Sequence, residues 1–192
     1  TDNLEMNFNS QTLQFPERSR VTSIFAAIQE FGLFVDTSYK IPGTSFYIRP
    51  SAAVTNGDGQ NVFTKDRGGM KYGGRVNFLP FGTFANMGQY REIDMLRERT
   101  PKLLIGGTYS YNVGISDRRG SASGTVLYQD DAGNDAFPDY EKFGADLMFK
   151  YRGFTLISEY VKGRAHVGDN ITRRVRNDGS VTDNFVIDGE QN

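Results

Sequence analysis

Lysine and arginine residues recur at alternate positions along several short segments of this chain. Alternate residues of a β-strand point to the same side of a sheet, so this spacing gathers the basic side chains on one face. Such a face would raise the local concentration of anions and ease their passage. The predicted face carries the basic residues Lys40, Arg49, Lys71, Arg75, Lys102, Lys142, Lys150 and Arg152, which outnumber its carboxylates Asp36, Asp146 and Glu159.

Each of these cations also has a structural interpretation, in which it pairs with a carboxylate of a neighbouring strand and holds the sheet together. Two further anion-contact candidates, Arg18 and Arg20, precede the first predicted strand. They would contact an anion if their loop folds over the basic face. The alternative is that they anchor the loop through ion pairs with Glu17 or Glu30.

Six segments alternate apolar and polar residues with the period of a β-strand. In the first, Leu33 and Val35 fall on one face, and Asp36 and Lys40 on the other. The predicted strands are residues 31–40, 45–55, 70–78, 102–115, 140–152 and 154–166. The sequence therefore predicts an all-β, antiparallel fold in which every strand has one apolar and one polar face.

The connections between these strands differ in length. Turns at residues 41–44 and 152–153 are short, whereas long polar loops are predicted at 56–69, 116–139 and 167–185. Counting strands places the three long loops at one end of the sheet, which is the asymmetry of outer-membrane barrels. The segment 79–101 lies at the other end and is the least regular. We expect it to form a short helix or structured turn with local ion pairs, and the pattern assigns it no function.

Composition narrows the function classes. The 192 residues include 22 Lys+Arg and 23 Asp+Glu, a net charge of -1 that does not favour a nucleic-acid partner. Cysteine is absent, which excludes disulfides and thiolate metal sites. There are 15 Phe and 10 Tyr residues, which would suit an interfacial aromatic girdle or reflect ordinary strand propensity.

Enzymatic motifs are not found in the sequence. His166 is the single histidine, so neither a zinc site nor the usual serine triad can be assembled. The acidic loops at 56–59 and 130–135 have oxygen ligands at spacings that calcium uses, but they lack the full loop pattern, and turn chemistry is the favoured interpretation. We therefore predict no enzyme, no cofactor and no metal.

Several short motifs occur in an order that resembles the phosphate-selective porin family of Gram-negative outer membranes. They include Phe15-Pro16-Glu17-Arg18-Ser19, Tyr72-Gly73-Gly74-Arg75, Pro101-Lys102-Leu103-Leu104-Ile105-Gly106 and Gly144-Ala145-Asp146, within roughly residues 13–162. The resemblance implies a sixteen-stranded transmembrane β-barrel, usually a homotrimer, in outer-membrane lipid. It also implies passive diffusion of small anions, with phosphate as a candidate, through a lumen lined by Arg and Lys.

Six strands cannot close a membrane barrel, for which about eight are needed. We therefore expect residues 1–192 to be one partial barrel domain, an interior piece of a longer porin. The alternative is a soluble β-sandwich that binds ligands through its loops.

The two folds differ in where they place the apolar faces. A porin wall leaves Leu33, Val35, Phe46, Ile48, Leu103, Ile105, Leu147 and Phe149 facing outward, whereas a sandwich packs them against a second layer.

Overall fold

The computed structural model describes residues 4–8, 19–25, 30–57, 69–115, 126–176, 178–183 and 190–191. Helical structure within these ranges is short. It comprises a 3-10 turn at Leu4–Asn7, the helix α1 at Arg20–Phe25 and a 3-10 turn at Ala85–Tyr90. The fold is mostly antiparallel β-sheet, so the predicted all-β class is confirmed. None of the helices in the described ranges has the length and apolar character that a membrane span requires.

Eleven strands are formed in the described ranges. They are β1 (Gly32–Asp36), β2 (Tyr39–Lys40), β3 (Tyr47–Thr55), β4 (Lys71–Leu79), β5 (Lys102–Asn112), β6 (Val126–Gln129), β7 (Asp139–Tyr151), β8 (Phe154–His166), β9 (Arg173–Arg176), β10 (Val181–Asp183) and β11 (Glu190–Gln191). The main sheet has the order β1-β3-β4-β5-β7-β8-β11, with β2 also paired to β3. All pairings are antiparallel, and the described residues do not close the sheet into a barrel.

The first predicted strand is divided into β1 and β2, both of which pair with β3. The break lies opposite Pro50, whose carbonyl accepts a hydrogen bond from Thr37 N at 3.1 Å. Proline has no N–H to return the bond, so the ladder is interrupted at this point. The fourth predicted strand is also shorter than expected, because β5 ends at Asn112.

A second sheet of three short strands, in the order β10-β9-β6, arises within the segments predicted as long polar loops. Strand β6 lies in the predicted loop 116–139, and β9 and β10 lie in the predicted loop 167–185. Strands of three or four residues are too short to show a clear alternation. The sequence also indicates a possible short strand at Phe185, Val186 and Ile187, and these three residues lie outside the described residues.

One face of the main sheet, which we call the bare face, presents large apolar side chains to the exterior. Leu33 is 70% exposed, Ile105 43% and Tyr160 63%. The register places all eight residues predicted to face outward on this side, and five of them are half-buried by their neighbours. Ring contacts of Phe46 with Phe78, 6.3 Å between centroids, and of Phe149 with Phe154, 6.4 Å, account for part of that burial.

The opposite face, which we call the covered face, carries most of the predicted basic residues, and its part on β4, β5 and β7 is buried. Its side chains include Lys71, Arg75, Leu79, Leu104, Asp146, Met148 and Lys150. Leu4, Phe8 and Phe84 pack on Leu79, Leu104 and Met148 to form the largest apolar cluster. Residues 80–101, which we call the insert, supply Phe84, so this connection folds back across the sheet.

Candidate functional site

Buried carboxylates hold the insert in its fold. Glu98 Oε1 accepts a hydrogen bond from Ala85 N at 2.6 Å, and Asp94 accepts bonds from Glu98 N at 3.0 Å and Gly153 N at 2.8 Å. The local ion pairs expected in this segment are therefore replaced, at Asp94 and Glu98, by hydrogen bonds to backbone amides. One of these bonds ties the insert to the β7–β8 turn.

Lys150 fastens the insert to the covered face. Its side chain is 1% exposed. Its Nζ donates to the carbonyl oxygens of Gly88 at 2.9 Å, Arg91 at 2.7 Å and Ile93 at 3.1 Å. An ammonium group has three donors, so these carbonyls satisfy it completely. Lys150 therefore acts as an anchor for the insert, whereas the sequence placed it on the anion pathway.

Arg75 and Asp146 form a buried ion pair that crosses over strand β5. The Arg75 guanidinium donates to both carboxylate oxygens, at 2.7 and 2.6 Å, and each side chain is 2% exposed. Gly106 lies between them on β5, and a Cβ at that position would overlap both charged groups. The pair exists because the intervening residue has no side chain.

Lys71 forms a second buried ion pair, with Glu30. The Lys71 Nζ lies 3.0 Å from Glu30 Oε1, and Thr55 Oγ1 donates to Glu30 Oε2 at 2.8 Å. Lys71 and Arg75 thus match the structural interpretation of the basic face, in which a cation pairs with a nearby carboxylate.

The other predicted anion-pathway residues lie in different surroundings. Lys40 lies 5.8 Å from the Tyr47 ring centroid, and Lys102 Nζ donates to Phe81 O at 2.9 Å. Arg20 is exposed on α1, whereas Arg18 lies outside the described residues. Lys142 is buried, and Arg152 lies in the β7–β8 turn, 5.1 Å from the Tyr151 ring.

Arg49, one of the predicted anion-pathway residues, lines a cleft of about 750 Å³ on the covered face. The cleft separates strands β1, β3 and β4 from the insert. Arg49 Nε donates to Ser38 Oγ at 3.3 Å, and the remaining lining includes Asp36, Asn77, Gln89 and Tyr90. Asn86 and Met87, beside the cleft, have left-handed φ angles of 43° and 57°, a conformation that is rare for residues other than glycine.

The acidic loops show turn chemistry in the part that the structure describes. Asn134 donates to the two oxygens of Asp130, at 2.8 and 3.1 Å, and these bonds lower the pKa of that carboxyl group.

His166, at the end of β8, contacts a glutamate of β7: its Nε2 lies 3.4 Å from Glu141 Oε1. No cluster of three or more His, Cys, Asp or Glu side chains with metal-site geometry occurs among the described residues. Residues 58–59 of the other acidic loop lie outside those residues.

The chain matches no protein-family model, no curated protein and no solved structure.

Sequence reasoning missed Gln89 and the anchoring role of Asp94 and Glu98, because the insert has no periodic pattern. The sequence did contain one signal that the charged face is covered. Leu104 and Met148 alternate with the charged residues on the same face, and apolar side chains there indicate that the face is covered.

We predict that Gly106→Ala destabilises the protein by about 1–3 kcal/mol, because the added methyl group must displace the buried Arg75–Asp146 pair. Gly107→Ala is the matched control. It lies on the bare face of the same strand with nothing within 4 Å, so it should be neutral or slightly stabilising. Denaturant unfolding of the two variants measures the difference. Equal free energies of unfolding for the two variants would show that the Arg75–Asp146 pair accommodates the added methyl group without loss of stability.

We predict that Lys150→Met loosens the insert while leaving the sheet folded, because three carbonyl oxygens of the insert, one buried and two partly buried, lose their donor. Amide hydrogen exchange in residues 85–98 should accelerate about tenfold or more, whereas exchange in β4 and β5 should not change. Lys102→Met, which removes one exposed bond to Phe81, is the control. Unchanged protection of the insert in Lys150→Met would contradict the anchoring role.

Proposed function

We propose that this chain forms part of the wall and of the internal constriction of a β-barrel channel in the outer membrane of a Gram-negative bacterium. Small polar solutes, anions among them, would cross it by passive diffusion. The observation that carries this proposal is the inverted distribution of polarity between the two faces of the main sheet. Apolar side chains face outward on the bare face, and the charged side chains of Lys71, Arg75, Asp146 and Lys150 are buried on the covered face.

This inversion has a direct physical reason in a membrane. Exposed apolar side chains on six neighbouring strands, represented by Leu33, Val54, Tyr72, Ile105, Phe143 and Leu156, form a surface that water solvates poorly. Lipid hydrocarbon would solvate it well. An antiparallel sheet that is completed into a barrel leaves no unpaired backbone group in the lipid, whereas an open edge would.

The soluble β-sandwich accounts for less of the structure. A sandwich buries its apolar sheet face and exposes its polar one. In the described residues, the side buried beneath the insert is instead the one that contains ion pairs, and the aromatic rings of the other side are left outside. A soluble sandwich would also leave the apolar side chains of the bare face in contact with water, which is unfavourable.

The insert gives the proposed channel a constriction. It lies over the covered face, so a barrel completed from this wall would hold it in the lumen. Anion preference would then depend on Arg49 and on exposed cations such as Lys40, because Lys71, Arg75 and Lys150 already have acceptors in the protein. The homotrimer and a phosphate preference remain proposals that rest on the resemblance to porins.

An apolar-to-arginine substitution on the bare face tests the proposal. Ile105→Arg should lower incorporation of the folded protein into liposomes, because an arginine facing lipid costs about 2–4 kcal/mol near the membrane midplane. In a soluble protein the same exposed position should tolerate arginine within about 0.5 kcal/mol. Flotation of the complete protein with liposomes measures the difference.

Val181→Arg is the matched control, because Val181 is an exposed valine of β10 in the small second sheet. It should incorporate like the unmodified protein. The proposal fails if the complete protein is monodisperse without detergent, or if Ile105→Arg and Val181→Arg behave alike.

A further inference from the structure

The bare face changes from apolar to charged near one end of strands β7 and β8. On β8 its outward residues are, in order, Phe154, Leu156, Ser158, Tyr160, Lys162, Arg164 and His166. The apolar series therefore stops at Tyr160, which is 63% exposed. On β7 it stops at Phe143, and Glu141 follows. This end of the strands is the one that joins the predicted long loops.

The boundary between apolar and charged side chains crosses the sheet obliquely. Arg164, Glu141 and Tyr111 lie in one row of the register. On β4 and β1 the same row holds the exposed apolar residues Tyr72 and Leu33. Barrel strands about 4.8 Å apart tilt by about 35–45°, so a level plane advances along them by about one residue for each strand crossed. A flat membrane surface would therefore give an oblique boundary on this sheet.

At the boundary the cations are more exposed than the carboxylates. The side chains of Arg164 and His166 are 43% and 44% exposed, whereas that of Glu141, which both contact, is 12% exposed. Asp139 accepts a hydrogen bond from the Tyr111 hydroxyl group at 2.6 Å. A guanidinium group has five N–H donors, so Arg164 can hold Glu141 and a second acceptor at the same time.

Lys162 and Arg164 are placed to share one acceptor. They are two residues apart on the same side of β8, so their Cα atoms are about 7 Å apart and their long side chains can converge on one phosphate group. Strand β11 places Glu190 opposite Arg164 in the register. The alternative is therefore that the two cations only form ion pairs with acidic residues of neighbouring strands.

We propose that Lys162 and Arg164 bind the phosphate group of an anionic lipid headgroup at this end of the bare face. Tyr160 and Phe143 contact the adjoining part of the acyl chains. Lipid phosphates lie just outside the hydrocarbon, which is where these cations follow the last aromatic residues. This inference rests on the proposed function, because it takes the bare face as the lipid-facing side.

Binding of phosphatidylglycerol to the purified complete protein in a non-ionic detergent tests the proposal. Native mass spectrometry counts the lipid molecules retained, and a titration gives the apparent dissociation constant. Phosphatidylglycerol should bind more tightly than phosphatidylcholine, which has a phosphate group but no net charge. Lys162→Gln combined with Arg164→Gln should weaken phosphatidylglycerol binding by about fivefold for each cation removed.

Lys40→Gln combined with Arg49→Gln is the matched control, because it removes the same charge from the covered face. It should leave the affinity for phosphatidylglycerol unchanged. Arg164→Lys, which keeps the charge, should retain the affinity within about twofold. Inorganic phosphate at the same concentration should not displace the lipid, because it has no acyl chains to contact the bare face.

Thermal unfolding in detergent without lipid checks that the variants are folded. If the double variant at positions 162 and 164 is unfolded, Lys162→Gln alone replaces it, with Lys40→Gln as its control. Each single variant removes one cation, so the expected loss for Lys162→Gln is about fivefold.

Four results would overturn the proposal. They are equal affinities for the two lipids, equal affinities of the rim and control variants, a loss in Arg164→Lys as large as in the glutamine variant, and displacement by inorganic phosphate. Flotation with liposomes and ionic conductance are measured separately. A protein that enters liposomes and conducts without preferring phosphatidylglycerol refutes this inference alone. One that binds phosphatidylglycerol in detergent but does not conduct refutes the channel alone.

Discussion

A cation buried away from water must find acceptors inside the protein, and this constraint organises the covered face. Arg75 finds the Asp146 carboxylate, Lys71 finds Glu30, and Lys150 finds three carbonyl oxygens of the insert. Removing one partner of such an arrangement leaves a buried charge, which is strongly unfavourable. The insert supplies the acceptors of Lys150, and the glycine at position 106 leaves room for the Arg75–Asp146 pair.

The same constraint explains why the two faces of the sheet differ. Because the insert and the 3-10 turn at Leu4–Asn7 lie on the charged face, the strands must present their other side chains to the exterior. Large exposed apolar side chains occur among them on neighbouring strands from β1 to β8. A lipid bilayer stabilises a sheet that has its charged side chains inside and its apolar side chains outside. This distribution links the fold to the proposed channel.

The sequence predicted the main sheet well because alternation is a local signal. It assigned Leu33, Ile105 and Phe149 to one face and Arg75 and Lys150 to the other, as the register does. It also anticipated the short turn at Gly153, whose φ is 93°. The break between β1 and β2 could have been inferred from Pro50, which lacks the N–H that the ladder requires.

The partners of the charged residues were less predictable. Arg75 and Asp146 are 71 residues apart, and their contact depends on a glycine of a third strand. The carbonyl acceptors of Lys150 belong to an irregular segment, so residue types do not reveal them. Gln89 lies in the same segment, and its burial follows from the way the insert folds back on the sheet. The candidate cleft is therefore a product of tertiary structure.

These 192 residues contain no tryptophan, so a tryptophan introduced into the main sheet can report the solvent of the bare face. Phe143→Trp replaces an exposed aromatic residue of β7, and phospholipids brominated on their acyl chains quench only fluorophores in hydrocarbon. If the bare face is the lipid-facing side, the fluorescence of the complete protein in liposomes will be quenched by the brominated lipid and not by aqueous iodide. Quenching by iodide with no effect of brominated lipid would contradict the membrane assignment.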